Sequence, residues 1–171
     1  MTARPSRHAA LTLVLLAALA AGCSGTTGSE KNGQSADSSA AADRARSYMQ
    51  AVVADDWHTA CSRMAAARRT ACHERHPAPE TPEPDGPEIG PVLLDRPPVR
   101  VPATSRHPAG WGVITTHTVT WPGERTRTSY TALRMTEADG SWWVEQREDV
   151  SDSDLTRSAD PAASALGRKA A

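Results

Sequence analysis

The sequence predicts an α+β protein, with helices gathered on one face of an antiparallel sheet. Three observations carry that expectation. Ala45, Tyr48, Met49, Val52 and Val53 recur at helical spacing in the first half. After residue 91 the pattern changes to period two, in segments rich in Val, Thr, Trp and Tyr. Between the two halves lies a segment with six prolines, at 77, 79, 82, 84, 87 and 91.

The chain opens with MTARPSRH, carrying Arg4 and Arg7 and no acidic residue, followed by the uncharged apolar run AALTLVLLAALAA, 9–21. That run is short for about 30 Å of hydrocarbon. A basic start, a short apolar stretch and small residues at its end describe an export signal. The stretch LAAGC, Leu19 to Cys23, resembles the lipobox of bacterial lipoproteins, with Leu19 one position further from the cysteine than is usual. The resemblance implies a signal peptide over 1–22, cleavage before Cys23 and a lipid on its sulfur. Acyl chains contribute about 0.8 kcal/mol per buried methylene, and two or three anchor far better than one. The expected location is the extracytoplasmic face of the cell membrane, with the membrane itself as a partner.

Removal of 1–22 takes away Arg4 and Arg7, leaving 17 basic against 20 acidic residues and a net charge of −3. The 149 residues that remain fit one domain with tails. Without a basic excess or stripe, nucleic acid is not an expected partner. There is no Phe, and five tryptophans must supply much of the core. Only two of the 19 basic residues are lysines, a bias that suggests a GC-rich actinobacterial source.

Residues 24–39, SGTTGSEKNGQSADSS, hold almost nothing apolar and read as a flexible tether, so 23–42 is assigned as lipidated Cys plus linker. Its reach would be roughly 20–24 Å. Residues 40–54 are helical by the stripe above. Asp56 is a natural N-cap for a second helix, on which Trp57, Ala60, Cys61 and Met64 share a face. The prolines of 77–91 exclude helix and central strand, and the segment reads as an extended surface loop. Four strands are expected, over 92–102, 111–121, 126–136 and 141–147. Pro122-Gly123 and Asp139-Gly140 mark the last two turns. In the last strand Trp142 and Val144 point one way, Trp143 and Glu145 the other. Residues 151–171 lack a period and are expected to be a disordered tail.

Two stretches, ARSYMQAVVADDWHTAC (45–61) and DGSWWVEQ (139–146), resemble the first helices and the final hairpin of nuclear-transport-factor-2-like domains (the SnoaL and ketosteroid-isomerase-like group), as found in actinobacterial lipoproteins. The resemblance spans about 43–150. It implies a cone, a curved sheet wrapped around the first helix, in a family that includes both enzymes and binding modules. Fold alone does not choose between them.

CSRMAAARRTACHERH, Cys61 to His76, gathers two cysteines and two histidines. A zinc site of Cys61, Cys72, His73 and His76 has poor spacing, because zinc ligand pairs sit with about two to four residues between them. Nor does HERHP match H-E-x-x-H, since Pro77 stands where the second His is needed. No C-x-x-C pair is present for redox chemistry. In an exported chain with Cys23 lipidated, Cys61 and Cys72 form an even pair suited to a disulfide. In one straight helix they would lie about 16.5 Å apart, by about 1.5 Å per residue, against the roughly 4.4–6.8 Å a disulfide allows. The pairing therefore predicts a chain reversal within 65–71, although AAARRTA contains neither Gly nor Pro.

For catalysis the candidates are Asp56, His58 and His117, the last on a strand face with Val113, Thr115, Val119 and Trp121. Each has a plainer role: cap, first helical turn, interior polar group. No Ser-His-Asp signal, glycine-rich phosphate loop or carboxylate cluster occurs. The expected function is a non-catalytic module binding a small molecule or an envelope protein, with no cofactor. The alternatives are a cone-cavity hydrolase or isomerase using His117 and, third, an envelope zinc-binding lipoprotein.

Overall fold

A computed structural model describes residues 27–77 and 86–168. The signal segment, Cys23 and most of the proline-rich loop lie outside the described residues. Helix α1 (Thr27–Val53) is followed by α2 (Trp57–Ser62) and α3 (Ala66–Arg75). Six strands come next: β1 (Glu88–Ile89), β2 (Leu93–Leu94), β3 (Val99–Val101), β4 (Gly110–Thr120), β5 (Arg127–Ala138) and β6 (Ser141–Asp149). Two short helices, α4 (Asp152–Arg157) and α5 (Pro161–Gly167), complete the order. Among the described residues no helix is long and apolar enough to cross a membrane.

The sheet is a curled antiparallel half-barrel. Strands β4, β5 and β6 form a meander, and β1, β2 and β3 pair in turn along the free edge of β4. The sequence suggested one strand over 92–102. Pro97 and Pro98 interrupt it, because proline cannot donate to a ladder, so the edge is built from fragments. The β5–β6 hairpin turns on Asp139 and Gly140, both at positive φ (54° and 69°), with Ala138 opposite Ser141. That is the two-residue turn expected from Asp-Gly.

The stripe expected on α1 does face the sheet. Ala45, Tyr48 and Met49 are buried against Trp111, Val113, Leu133, Met135 and Val144. On β4 and β5 these sheet residues lie at odd positions, as a period of two requires.

The other face is also covered, which corrects the expected disordered tail. Helix α5 packs Ala162, Ala165 and Leu166 onto Val101, Ile114 and Ala132. At Gly112 an added Cβ would lie 2.7 Å from Val101 Cγ1 and 3.1 Å from Ala162 Cβ, so only glycine allows the helix this close. Arg134 fixes the layer. Its buried guanidinium donates to Gln146 Oε1 (3.0 Å), to the carbonyls of Pro102 (2.6 Å) and Pro108 (2.9 Å), and to that of Leu166 (3.3 Å). Both short helices are capped. Ser151 and Asp154 form a capping box on α4, and Asp160 caps α5 with Pro161 at its first turn. Asp154 also accepts from Ser164 Oγ (2.7 Å) and from Arg168, tying α4 to α5. The tether assignment is corrected as well, because α1 already begins at Thr27.

Candidate functional site

The reversal that the cysteines demand is present, slightly earlier than expected. Helices α2 and α3 are separated at Arg63–Ala65. No Gly or Pro is needed because β6 holds the turn. Val144 N–H donates to the Arg63 carbonyl (3.1 Å), and Ala65 N–H donates to the Val144 carbonyl (2.8 Å). This brings the Cα atoms of Cys61 and Cys72 to 5.6 Å, and the two sulfurs are joined in a disulfide. Both are thereby consumed, so the zinc alternative built on them is overturned. Among the described residues no group of three or more His, Cys, Asp or Glu is placed to hold a metal.

Beneath α3, against β6, lies an open cavity of about 490 Å³. Cys72 lines it, so the disulfide clamps one wall. Tyr48 from α1 and Trp57 and Met64 from the α2 region supply apolar surface. Trp57 is fixed twice: its Nε1 donates to Asp55 Oδ1 (2.6 Å), and its ring stacks on His76 with centroids 3.5 Å apart and planes 6° from parallel.

One wall is polar. Arg68 donates to Glu145 Oε1 from Nε (3.1 Å) and Nη2 (2.8 Å), and His107 Nδ1 stands 3.0 Å from the same oxygen. Arg68 Nη2 also lies 3.2 Å from His107 Nδ1, so that nitrogen donates to Glu145 in one tautomer and accepts from Arg68 in the other. Glu145 reaches this position through a bulge. Arg134 pairs with Gln146 and Met135 with Val144, leaving Glu145 without an opposite residue. The bulge was not legible in the alternation of the sequence.

Arg147 stands at the centre of the site's electrostatics. Burial pushes the Tyr48 phenol up, and Arg147 opposes it. Burial, then Arg75 and Arg147, hold His76 below the usual imidazole range, with Asp55 acting the other way. Burial and then Arg147 do the same to His117. Tyr48 and His76 come from distant parts of the sequence, and no local motif announces that they line one cavity.

The other predicted residues fall as follows. Asp56 is the N-cap of α2, accepting from Thr59 N–H at 3.0 Å, and that bonding lowers its carboxyl below the ordinary value. His58 and His73 face each other across α2 and α3, ring centroids 5.7 Å apart, and border a smaller cavity of about 290 Å³ with Asp56 and His76. His117 lies on β4 opposite Ser129 and lines neither cavity. Its Nδ1 is buried without a hydrogen-bond partner among the described residues. The neighbouring Thr115 hydroxyl donates instead to the Thr131 carbonyl (3.4 Å). Trp121, expected on the same inner face, is just past the end of β4 and 48% exposed.

The chain matches no known protein family, no curated protein and no solved structure.

Proposed function

We propose that this chain is a membrane-anchored extracytoplasmic lipoprotein, tethered through Cys23, whose nuclear-transport-factor-2-like domain binds a small molecule without transforming it. The observation that carries the binding reading is the cavity beneath α3. Its volume of about 490 Å³ falls in the range of small-molecule sites. Its walls combine apolar rings with a few fixed polar groups, the composition such sites require. The disulfide and the ladder from Arg63–Ala65 to β6 hold the walls in place without a ligand, which lowers the cost of binding. The lipobox-like LAAGC supports the anchor.

Two measurements test this. Palmitate labelling in a bacterial host is expected to mark the wild-type chain and not Cys23→Ser. An unlabelled wild type that partitions into water would remove the anchor. A thermal-shift screen of small molecules on the Cys23→Ser chain is expected to find stabilising ligands recovered chemically unchanged, since a ligand at 100 times its Kd adds about 2.7 kcal/mol.

The unpartnered Nδ1 of His117 favours one second reading, an acid–base hydrolase or isomerase. A compound turned over by the wild type but not by His117→Gln would select it.

A further inference from the structure

The charges of the cavery wall beneath α3 define what it takes. Three carboxylates border the cavity: Glu145, Glu148 and Asp149. Glu145 is neutralised by Arg68 at 2.8 Å. Glu148 lies opposite Ala132 and accepts from Gln146 Nε2 (3.1 Å), which directs it to the α5 side of the sheet. That leaves Asp149 on the cavity wall, and Asp55 beside the stack, where Trp57 Nε1 already donates to it, against Arg75 and Arg147. Neither arginine forms an ion pair among the described residues, and both are exposed to solvent. Burial first, and then Arg75 and Arg147, hold the His76 imidazole below its ordinary range, which places both guanidinium groups near that ring. Next to these cations stands the Trp57–His76 stack, a flat apolar surface. The cavity therefore sets two guanidinium groups beside an aromatic surface.

We infer that the cavity takes a small organic carboxylate with an aromatic or apolar body. The carboxylate sits on the Arg147 guanidinium, and the body lies against the Trp57–His76 stack. A guanidinium presents a planar fork that matches two carboxylate oxygens, which a point charge does not. The inference rests on the binding reading above and adds the ligand class to it.

The test uses the Cys23→Ser chain and three probes: 2-naphthoate, its neutral analogue 2-naphthalenemethanol, and inorganic phosphate. Calorimetry gives affinities, and proton NMR follows the His76 ring. The expected result is that 2-naphthoate binds at least about 10-fold more tightly than the alcohol, as loss of a charge-assisted pair implies. Arg147→Gln is expected to remove that preference, Arg147→Lys to retain only part of it, and bound naphthoate to raise the His76 pKa. Arg75→Gln, on the exposed last turn of α3, serves as a second variant if Arg147→Gln fails to fold, and is expected to weaken naphthoate binding in the same direction. Equal affinity for acid and alcohol, or naphthoate binding indifferent to both arginines, overturns the inference and leaves the binding reading standing. Phosphate binding as tightly as naphthoate overturns the aromatic half of the assignment. Failure of all three probes, in a chain for which the wider screen finds neutral ligands, overturns the inference alone. Failure of the screen as well overturns both readings.

Discussion

Arg134→Met asks how much of the fold depends on one buried guanidinium. The substitution keeps an unbranched side chain of similar reach and removes every donor. Three main-chain carbonyls, those of Pro102, Pro108 and Leu166, lose this donor, as does Gln146 Oε1. Hydrogen bonds to charged groups contribute about 1.5–3 kcal/mol each, so four such bonds would total about 6–12 kcal/mol gross. Burial of the guanidinium opposes this by several kcal/mol. Desolvation acts on it directly, lowering its pKa, with only partial compensation from Glu145. The net expectation is about 3–5 kcal/mol of destabilisation, since buried acceptors left without a donor cost about 1–3 kcal/mol each and relief of the buried charge offsets part of the total. Domains have about 5–15 kcal/mol in total, so the variant is expected to be marginal. Urea unfolding of the Cys23→Ser chain, with and without Arg134→Met, measures the change through the midpoint at constant slope. Hydrogen exchange supplies a local readout: amides of α5 are expected to lose protection first. A change below about 1 kcal/mol, with α5 protection unaltered, would refute the assignment of Arg134 as the link between the sheet and the last helix.

Three further outcomes are expected. Replacing Cys61 and Cys72 together by Ser releases a loop of sequence separation 11 and is expected to cost about 3 kcal/mol by the chain-entropy account, read from urea midpoints. Burial alone would raise the Asp154 carboxyl. Its bonds to Ser151, Ser164 and Arg168 outweigh that and hold it far below the carboxylate range. Its contribution is therefore fully present above the unfolded value of about 3.9 and is lost as pH falls towards the folded one. Asp154→Asn is expected to flatten acid unfolding of α4–α5 as followed by circular dichroism. His76 and His117 are both held below the ordinary imidazole value, so each adds stability above about pH 6.5 that declines as pH falls from there. NMR titration is expected to show both pKa values low, and both rising in Arg147→Gln.

Local rules reached some of these elements and not others. The α1 stripe, the Asp56 cap and the Asp139-Gly140 hairpin each depend on a few adjacent residues, and each stands in the structure as read. The Cys61–Cys72 pairing followed from the expected compartment and from the count of cysteines. The reversal it requires, expected within 65–71, falls at Arg63–Ala65 because the partner that positions it, Val144, lies about 80 residues on. Helices α4 and α5 were missed for a different reason. Their signals were present, Ser151 with Asp154 and Asp160 before Pro161, but six or seven residues give too little period to read as amphipathic. The cavity was not legible at all. Tyr48, Trp57 and Arg147 meet only after the sheet curls, and the bulge at Glu145 re-aims a side chain that simple alternation had placed otherwise.

The acceptor that Arg134 finds at Leu166 comes late in the chain, as do the small side chains of Ala162 and Ala165 that close over Gly112. Until that segment has emerged, one face of the β4–β6 meander stays uncovered and a guanidinium in its middle lacks part of its shell. Synthesis therefore delivers the lid of the sheet last. This ordering delays compaction: until α5 arrives, the sheet is covered only on the face that α1 packs against.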